Sequence, residues 1–561
     1  MKNREIAEMF HEIADLLEMQ DVEWKPRAYR RAARSIESLS EPIEDVHERG
    51  ELESIDGVGE SIAEKIIEYL ETGDLEYYQE LKQELPVDIE ALSSVEGIGP
   101  KTARKLYQAL EIRDLDDLEE AAEEGKIAEL EGFGEKTQQK ILDHIDMARK
   151  GDKRMLLGKA FPIAENIREK LRGSENFGRV EVVGSFRRKR PTVGDIDVLA
   201  TAEDAEQAMK QFCTMDDVKE VLNRGETRSS VIVSGGLQMD LRIVEPEEWG
   251  AALVYFTGSK DHNIALRDLA MERGGKLNEY GLFEDEKKIA GETEEEVYSA
   301  LDLDFIEPEL REDTGEVKAA GEDGLPDLVE EEDIRGDLQL HTDHSDGNAP
   351  VVEMAEKADE LGYEYILVTD HGPALHVAGG PSSVEELQEQ QEDIREANER
   401  FEVEVLHGME VNVTKDGIDT GKDMLDMLDL VVVAMHSRLE NPTERLLEVL
   451  ENYPVDIIAH PLNRKINRRE PQDLDMEKVV EKAAEEKVAL EVNSQPARLD
   501  LPWDLVKKFR GDAKFVVSTD AHATGELDYM HLGVAQARRG WLEKSDVLNT
   551  RKPDELRSYF S

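Results

Sequence analysis

Apolar residues recur at helical spacing from the start of the chain. Ile6, Met9, Phe10, Ile13, Leu16 and Leu17 fall three or four positions apart, which predicts an amphipathic helix. The pattern stays helical to about residue 80 and includes the locally basic run Arg27-Ala-Tyr-Arg-Arg-Ala-Ala-Arg34. A short unit then repeats three times: Ile55-Asp-Gly57-Val-Gly59, Val95-Glu-Gly97-Ile-Gly99 and Leu130-Glu-Gly132-Phe-Gly134. Each is followed by a helical pattern carrying lysine, at Lys65, at Lys101 and Lys105, and at Lys136 and Lys140. Gly-hydrophobic-Gly between helices allows a tight turn and aims bare N–H groups at the start of the next helix, a ready anion site. One copy could be a helix cap; three copies point to sequence-independent grip on a nucleic-acid backbone.

From about 151 to 246 the period changes, and strands are expected at Val180–Val183, Asp195–Ala200, Ser230–Ser234 and Gln238–Val244. The most informative stretch is Gly184-Ser-Phe-Arg-Arg-Lys-Arg-Pro-Thr-Val-Gly-Asp-Ile-Asp197. Residues i and i+2 of a strand share a face, so Asp195 and Asp197 present paired carboxylates. Asp240, in Met239-Asp-Leu-Arg-Ile-Val244, can join them from a neighbouring strand. Such a set suits magnesium and the two-metal clamp of an in-line phosphoryl displacement. Ser185 and Arg188 stand where a triphosphate needs a hydroxyl and a fork of donors.

Residues 311–335 are acidic and punctuated by Gly and Pro, the pattern of a linker or extended strap. Beyond it, six apolar runs end in potential ligands. They are Asp337–His341 (followed by His344 and Asp346), Tyr365–His371, Val403–Glu410, Leu430–His436, Val455–His460, and Phe515–His522 with Asp520. Helical stretches separate them, so a βα barrel with functional residues at its strand ends is expected. His, Asp and Glu converging from six strand ends predict a multinuclear site for zinc, manganese or iron.

Composition changes this picture in three ways. No apolar run is long enough to span a membrane, so a cytoplasmic protein with no membrane partner is expected. Cys213 is the only cysteine, which excludes intrachain disulfides and cysteine-based zinc sites. The net charge of −60, from 129 acidic and 69 basic residues, argues at face value against nucleic acid. It fits instead a surface adapted to molar salt, where the Debye length is about 3 Å, and hence a halophilic source. Against that background the four basic residues Arg187–Arg190 stand out as a site for a polyanion.

Residues 1 to about 310 resemble the family X DNA polymerases, the polymerase beta-like enzymes. The segment Tyr255-Phe-Thr-Gly-Ser-Lys-Asp-His-Asn-Ile-Ala-Leu-Arg267, with Leu277-Asn-Glu-Tyr280, carries the resemblance furthest. It implies that Asp195, Asp197 and Asp240 are catalytic and bind Mg²⁺, and that Ser185, Arg188 and Gly194 hold the triphosphate. Tyr255 and Phe256 border the sugar, Asn263 meets the incoming base, Arg267 faces the template, and Gly258, Glu279 and Tyr280 complete the substrate site. The N-terminal repeats resemble helix-hairpin-helix elements, with DNA contacts at Gly57, Gly59, Gly97, Gly99, Gly132, Gly134 and Lys25. Lys65 falls at the family's Schiff-base lysine, while Ser61 and Tyr77 replace phosphate-binding lysines.

The C-terminal part resembles PHP (polymerase and histidinol phosphatase) domains, which implies a 3′-5′ exonuclease or 3′-end-processing activity. The implied ligands for two or three Mn²⁺ or Zn²⁺ are His341, Asp346, His371, Glu410, His436, His460, Asp520 and His522. Gln339 departs from the usual first histidine, and His344 is a candidate replacement.

The expected architecture is multidomain α+β and α/β. It comprises a helical lyase-like domain (1–82), a fingers-like domain with two hairpin motifs (83–150), a nucleotidyltransferase palm (151–246), a nucleotide-selection thumb (247–310), the acidic linker (311–335) and the PHP barrel (336–561). The expected enzyme is a monomeric gap-filling repair polymerase acting on gapped or primer-template DNA with dNTPs, and the resemblance suggests a haloarchaeon. Alternatives are a DNA-targeted PHP nuclease with an idle palm and a small-molecule phosphatase.

Overall fold

The computed structural model describes residues 154–560 apart from 286, 323, 374–378, 438 and 468. Of the first 153 it describes 2–20, 22, 25–37, 43–50, 52–55, 57–72, 75–84, 87–89, 92, 95, 98–110, 112–123, 125–130, 133–134, 138 and 141. The chain divides into two compact units, Met1–Arg154 and Met155–Ser561.

In the first unit, helix Lys2–Met19 turns Ile6, Phe10, Ile13, Leu16 and Leu17 into the core, each at most 2% exposed, as the apolar spacing requires. It packs on helix Lys25–Glu37, where Tyr29 meets Phe10 edge-on at 5.4 Å. That basic helix is partly paired internally: Arg30 donates to Asp15 at 2.5 Å and to Glu18 at 2.6 Å.

The second unit begins with helix Leu157–Arg172 over a five-stranded sheet. Its order is Val180–Val182, Asp195–Ala200, Gln238–Ile243, Arg228–Val233 and Val218–Arg224. Strands Asp195–Ala200 and Gln238–Ile243 run parallel; the other pairs are antiparallel. Helices Trp249–Thr257 and Lys260–Glu272 come next, then a three-stranded antiparallel sheet spanning Gly275 to Ala290.

The stretch expected as an acidic linker is folded instead. Arg311 and Glu316 are fully buried, and helix Glu316–Ala320 forms within it. Glu316 accepts from His262 at 2.7 Å and from the N–H groups of Asp313 and Thr314. Val329 is buried and donates its N–H to the Leu542 carbonyl. Acidic composition concealed this, because Glu312 and Glu316 face inward donors and not water.

Among the described residues seven parallel strands complete the unit, from Gly336–Leu340 round to Phe515–Ser518. The ring closes where Asp520 N–H donates to the Gln339 carbonyl and His341 N–H to the Ala521 carbonyl. The strands are buried almost throughout and mostly apolar because both faces are covered.

Candidate active sites

The parallel register sets Asp197 directly beside Asp240, and Asp195 beside Gln238, so the three expected carboxylates share one end of the sheet. Burial, then the charges of Asp195 and Asp240, push Asp197 up to about 6. Asp240 accepts from Arg228 at 2.5 Å and from Gln238 at 3.0 Å. Burial opposes its charge, yet these donors hold its carboxyl below the ordinary range. The three carboxylates do not all come within 4.8 Å of one another, since no group of ligands close enough for one ion includes them. An all-oxygen set on adjacent strands still fits a hard divalent cation that keeps several waters. Gly184 makes this arrangement possible: its φ is +65°, and a Cβ there would lie 2.8 Å from Asp197 Oδ2.

The basic run next to these carboxylates is largely paired with glutamates and a backbone carbonyl. Arg187 donates to Glu294 at 2.5 Å, and Arg311 reaches the same carboxylate at 2.7 Å. Arg188 Nε donates to Glu312 at 3.1 Å and its Nη1 to the Thr257 carbonyl. Arg190 takes the other Glu312 oxygen at 3.3 Å. Lys189 lies over the rings of Phe161 and Phe186 at 4.7 and 5.3 Å. Ser185 is half-buried and Gly194 exposed.

The expected nucleotide segment follows on helices Trp249–Thr257 and Lys260–Glu272. Tyr255 packs edge-on to Phe256 at 5.0 Å, and Arg242 stacks on Phe256 at 4.6 Å. Asn263 donates to the Tyr255 carbonyl at 2.7 Å. Gly258 is pressed against Arg188, since a Cβ would sit 3.0 Å from its Nη1. Arg242, Phe256, Glu279 and Tyr280 line a cleft of about 630 Å³ whose other walls include Thr201, Ile243 and Val244, at the end of the two central strands away from Asp195. Arg267 is exposed on helix Lys260–Glu272.

In the helical unit the three repeats form one geometry. N–H groups of Val58, Ile98 and Phe133 donate to the carbonyls of Ile55, Val95 and Leu130. The carbonyls of Gly59, Gly99 and Gly134 then accept from the N–H groups of Ala63, Ala103 and Gln138. A Cβ at any of these three glycines would meet nothing within 4 Å, so each faces open space. Gly57 differs: its φ is +84°, and a Cβ would meet Arg31 at 2.7 Å. Gly97, Gly132, Lys136 and Lys140 lie outside the described residues. Lys65 donates to the Ser61 carbonyl at 3.2 Å, and Lys65 and Lys25 both approach the Tyr77 ring, at 5.0 and 5.9 Å.

The barrel brings all eight expected ligands together at its strand ends. Glu410, fully buried, is the hub: His341, His371, His436 and His460 approach it at 3.3, 3.1, 3.4 and 3.1 Å. Asp520 meets His341 at 3.2 Å, and Asp346 meets His371 at 3.4 Å and His522 at 3.5 Å. Burial opposes charge on Glu410, yet the imidazoles, His371 first, hold its carboxyl well below the ordinary range. Burial would also lower His371, but Glu410 and Asp346 outweigh it and raise the ring to about 9. At His436 burial prevails, and the ring falls to about 3. His460 and Asp520 adopt left-handed backbone, φ +27° and +53°, strain that a functional site commonly stores. Buried nitrogens of His341 and His460 and Oε1 of Glu410 lack a well-aligned hydrogen-bond partner. That mixed N/O donor set fits borderline divalent metals.

Several residues that the sequence did not single out complete this site. Asn412 accepts from His436 Nδ1 at 2.6 Å, which turns Nε2 toward Glu410. Asn493 bridges Glu491 and Asp520 at 3.1 Å each, and Glu491 accepts the His460 N–H at 2.6 Å. Gln339, with its amide donating, meets Glu491 at 2.6 Å. It therefore supports the floor of the cluster. His344 does not replace the missing histidine, because it pairs with Asp393 at 2.9 Å. Lys465 and Arg498 line the mouth beside the ligands.

Known families match successive stretches of the chain. Residues 1–75 match a helix-hairpin-helix domain and 89–146 a SAM-like helix-hairpin-helix tandem. Residues 161–246 match the DNA polymerase beta palm, 252–312 the DNA polymerase beta thumb, and 337–538 the PHP domain. The DNA polymerase/3′-5′ exonuclease PolX of Bacillus subtilis (strain 168) is 35% identical over 100% of this chain and 99% of its own length. DNA polymerase lambda of Rattus norvegicus is 28% identical over 55% of this chain and 56% of its own length. A probable phosphatase of Acetivibrio thermocellus is 34% identical over 28% of this chain and 64% of its own length. The chain belongs to the family X DNA polymerases that carry a C-terminal PHP domain.

Proposed function

We propose that this chain fills short DNA gaps at its palm and trims or cleans DNA 3′ ends at its barrel. The observation that carries the reading is the presence of two separate carboxylate centres in one folded unit: Asp195, Asp197 and Asp240 on parallel strands, and the Glu410-centred cluster at the closed barrel. Divalent ions, Mg²⁺ at the palm and two or three Mn²⁺ or Zn²⁺ at the barrel, would supply charge neutralisation and water activation when bound.

At the palm, Asp195, Asp197 and Asp240 would hold the ions, and Ser185 and Arg188 the triphosphate. The primer 3′-oxygen attacks the α-phosphorus in line. Its proton passes to Asp240 and pyrophosphate departs. Tyr255, Phe256, Asn263 and Arg267 order sugar, base and template, so that most of the acceleration comes from positioning. At the barrel, the eight ligands would hold ions against a phosphodiester, while Lys465 and Arg498 offer positive charge at the mouth. The three glycine turns would hold the DNA backbone through local N–H contacts, which suits a chain whose acidic surface gives no long-range attraction.

Gap filling and 3′ trimming, each assayed in molar KCl with Mg²⁺ or Mn²⁺, test this. Asp240→Ala should abolish extension and spare trimming; His371→Ala should do the reverse. Extension by an Asp195→Ala plus Asp197→Ala variant equal to wild type would refute the polymerase assignment.

A further inference from the structure

One side chain of the barrel reaches Arg188 of the palm. Arg539 ends helix Met530–Arg539, two residues from the barrel's Trp541, yet its side chain is fully buried against the palm and the strap. Its Nη1 donates to the Arg188 carbonyl and, at 3.1 Å, to Glu312 Oε1. The same Glu312 oxygen accepts Arg188 Nε at 3.1 Å. The guanidinium lies 5.1 Å over the Trp503 ring, and among the described residues its Nε and Nη2 have no hydrogen-bond partner.

A buried guanidinium that leaves donors unsatisfied is a poor way to pack a helix end, and an apolar side chain of similar size would do as well or better. Its contacts show what it accomplishes. Glu312 is held from two sides, by Arg539 and by Arg190. Glu312 and the Thr257 carbonyl in turn take Nε and Nη1 of Arg188, which fixes the plane of that guanidinium. Gly258 closes the remaining side. Among the described residues Nη2 is the nitrogen of Arg188 with no such acceptor, and it is therefore the one presented to a ligand.

We propose that Arg539, a residue of the barrel, is a positioning residue for nucleotide binding at the palm: by holding Glu312 and the Arg188 carbonyl, it presets Arg188 for the triphosphate of the incoming nucleotide. This rests on the reading of Arg188 as a triphosphate ligand. It makes the polymerase site incomplete without the barrel, though the barrel's own chemistry does not use Arg539.

Steady-state gap filling by the full chain, with dNTP as the varied substrate, tests the relay, and 3′ trimming in the same preparations reports folding of the barrel. Arg539→Met should raise the dNTP KM about tenfold, with a smaller change in kcat, as expected when a charged group is displaced by a fraction of an ångström. Trimming should stay within about twofold, and Arg539→Lys should recover part of the loss. Glu312→Gln should reproduce the effect, and the double variant should be no worse than the more severe single one, since both act through Glu312. An unchanged dNTP KM in Arg539→Met overturns the proposal when Arg188→Ala raises it. An unchanged KM in Arg188→Ala overturns the triphosphate reading and the proposal together. Should Arg539→Met lose trimming and melt early, Glu312→Gln decides: a wild-type dNTP KM there overturns the relay.

Discussion

Gly184→Ala offers a sharp test of the palm geometry. The substitution places a Cβ 2.8 Å from Asp197 Oδ2, where ordinary contact begins at 3.4 Å. The carboxylate must therefore retreat by about 0.6 Å, or the turn must open by as much. A 1 Å displacement in an assembled site costs about 10²-fold in rate, so kcat/KM for gap filling should fall by about 10- to 100-fold. The left-handed φ of +65° adds roughly 1–2 kcal/mol of backbone strain for alanine, which a melting experiment reads separately. Gly236→Ala is the matched control: φ is +76° there, but a Cβ meets nothing within 4 Å. Single-nucleotide gap filling and 3′ trimming would be measured on both variants and wild type. Strain alone predicts equal extension by the two variants, whereas contact with Asp197 predicts loss in Gly184→Ala only, with trimming unchanged in both. Extension by Gly184→Ala within about threefold of Gly236→Ala would show that Asp197 does not depend on this glycine.

Four further outcomes are expected. Glu410→Gln removes the hub of the barrel cluster, so bound metal measured by elemental analysis should fall, and trimming should drop more than the 10–100-fold typical of an outer partner, with gap filling intact. Asn412→Ala frees the ring of His436 and should cost trimming about 10- to 100-fold with the protein still folded, which circular dichroism would check. Asp456 is buried beside the Val431 N–H at 2.7 Å, and burial lifts its carboxyl from 3.8 to about 6. Its folded value is raised, so the cost of its charge is absent below 3.8 and complete above 6. Asp456→Asn should thus stabilise by up to about 3 kcal/mol at pH 7–8, and urea titrations should show that gain shrinking toward pH 4; a pH-independent gain would refute the assignment. With a net charge of −60, the melting temperature should rise as KCl approaches molar concentration, because screening relieves self-repulsion.

Much of this was legible in the sequence because the chemistry sits where secondary structure is most regular. The Asp-X-Asp spacing fixed a shared strand face, and strand-end histidines marked the barrel mouth. Strand Ala489–Asn493 escaped notice because it ends in Asn and carries an acidic residue, Glu491, inside an apolar run; such a residue is tolerated only because His460, Asn493 and Gln339 donate to it. Edge strand Val218–Arg224 escaped for the opposite reason: mostly exposed and largely polar, it has no apolar period to read. Residues 311–335 were misjudged because composition does not reveal that Glu316 faces His262 and that Arg311 faces Glu294.

The basic run beside the palm carboxylates is where sequence and structure together say more than either alone. Four consecutive cations in an acidic chain suggested an anion site, and pairing with glutamate at first runs against that suggestion. The stoichiometry restores it in another form. Arg187 and Arg311 share Glu294, while Arg188, Arg190 and Arg539 share Glu312. Five arginines thus face two glutamates; Arg190 is 46% exposed, and the four more buried arginines leave an excess of two positive charges over Glu294 and Glu312. Arg311 and Arg539 are fully buried and Arg188 nearly so. Salt screens exposed charges beyond about 3 Å at molar concentration but reaches buried ones far less. A triphosphate site built on an exposed basic patch would lose its field in such a medium. One built on a buried excess, with glutamates setting the geometry, keeps it, and this is the arrangement that the Gly184–Arg190 turn presents.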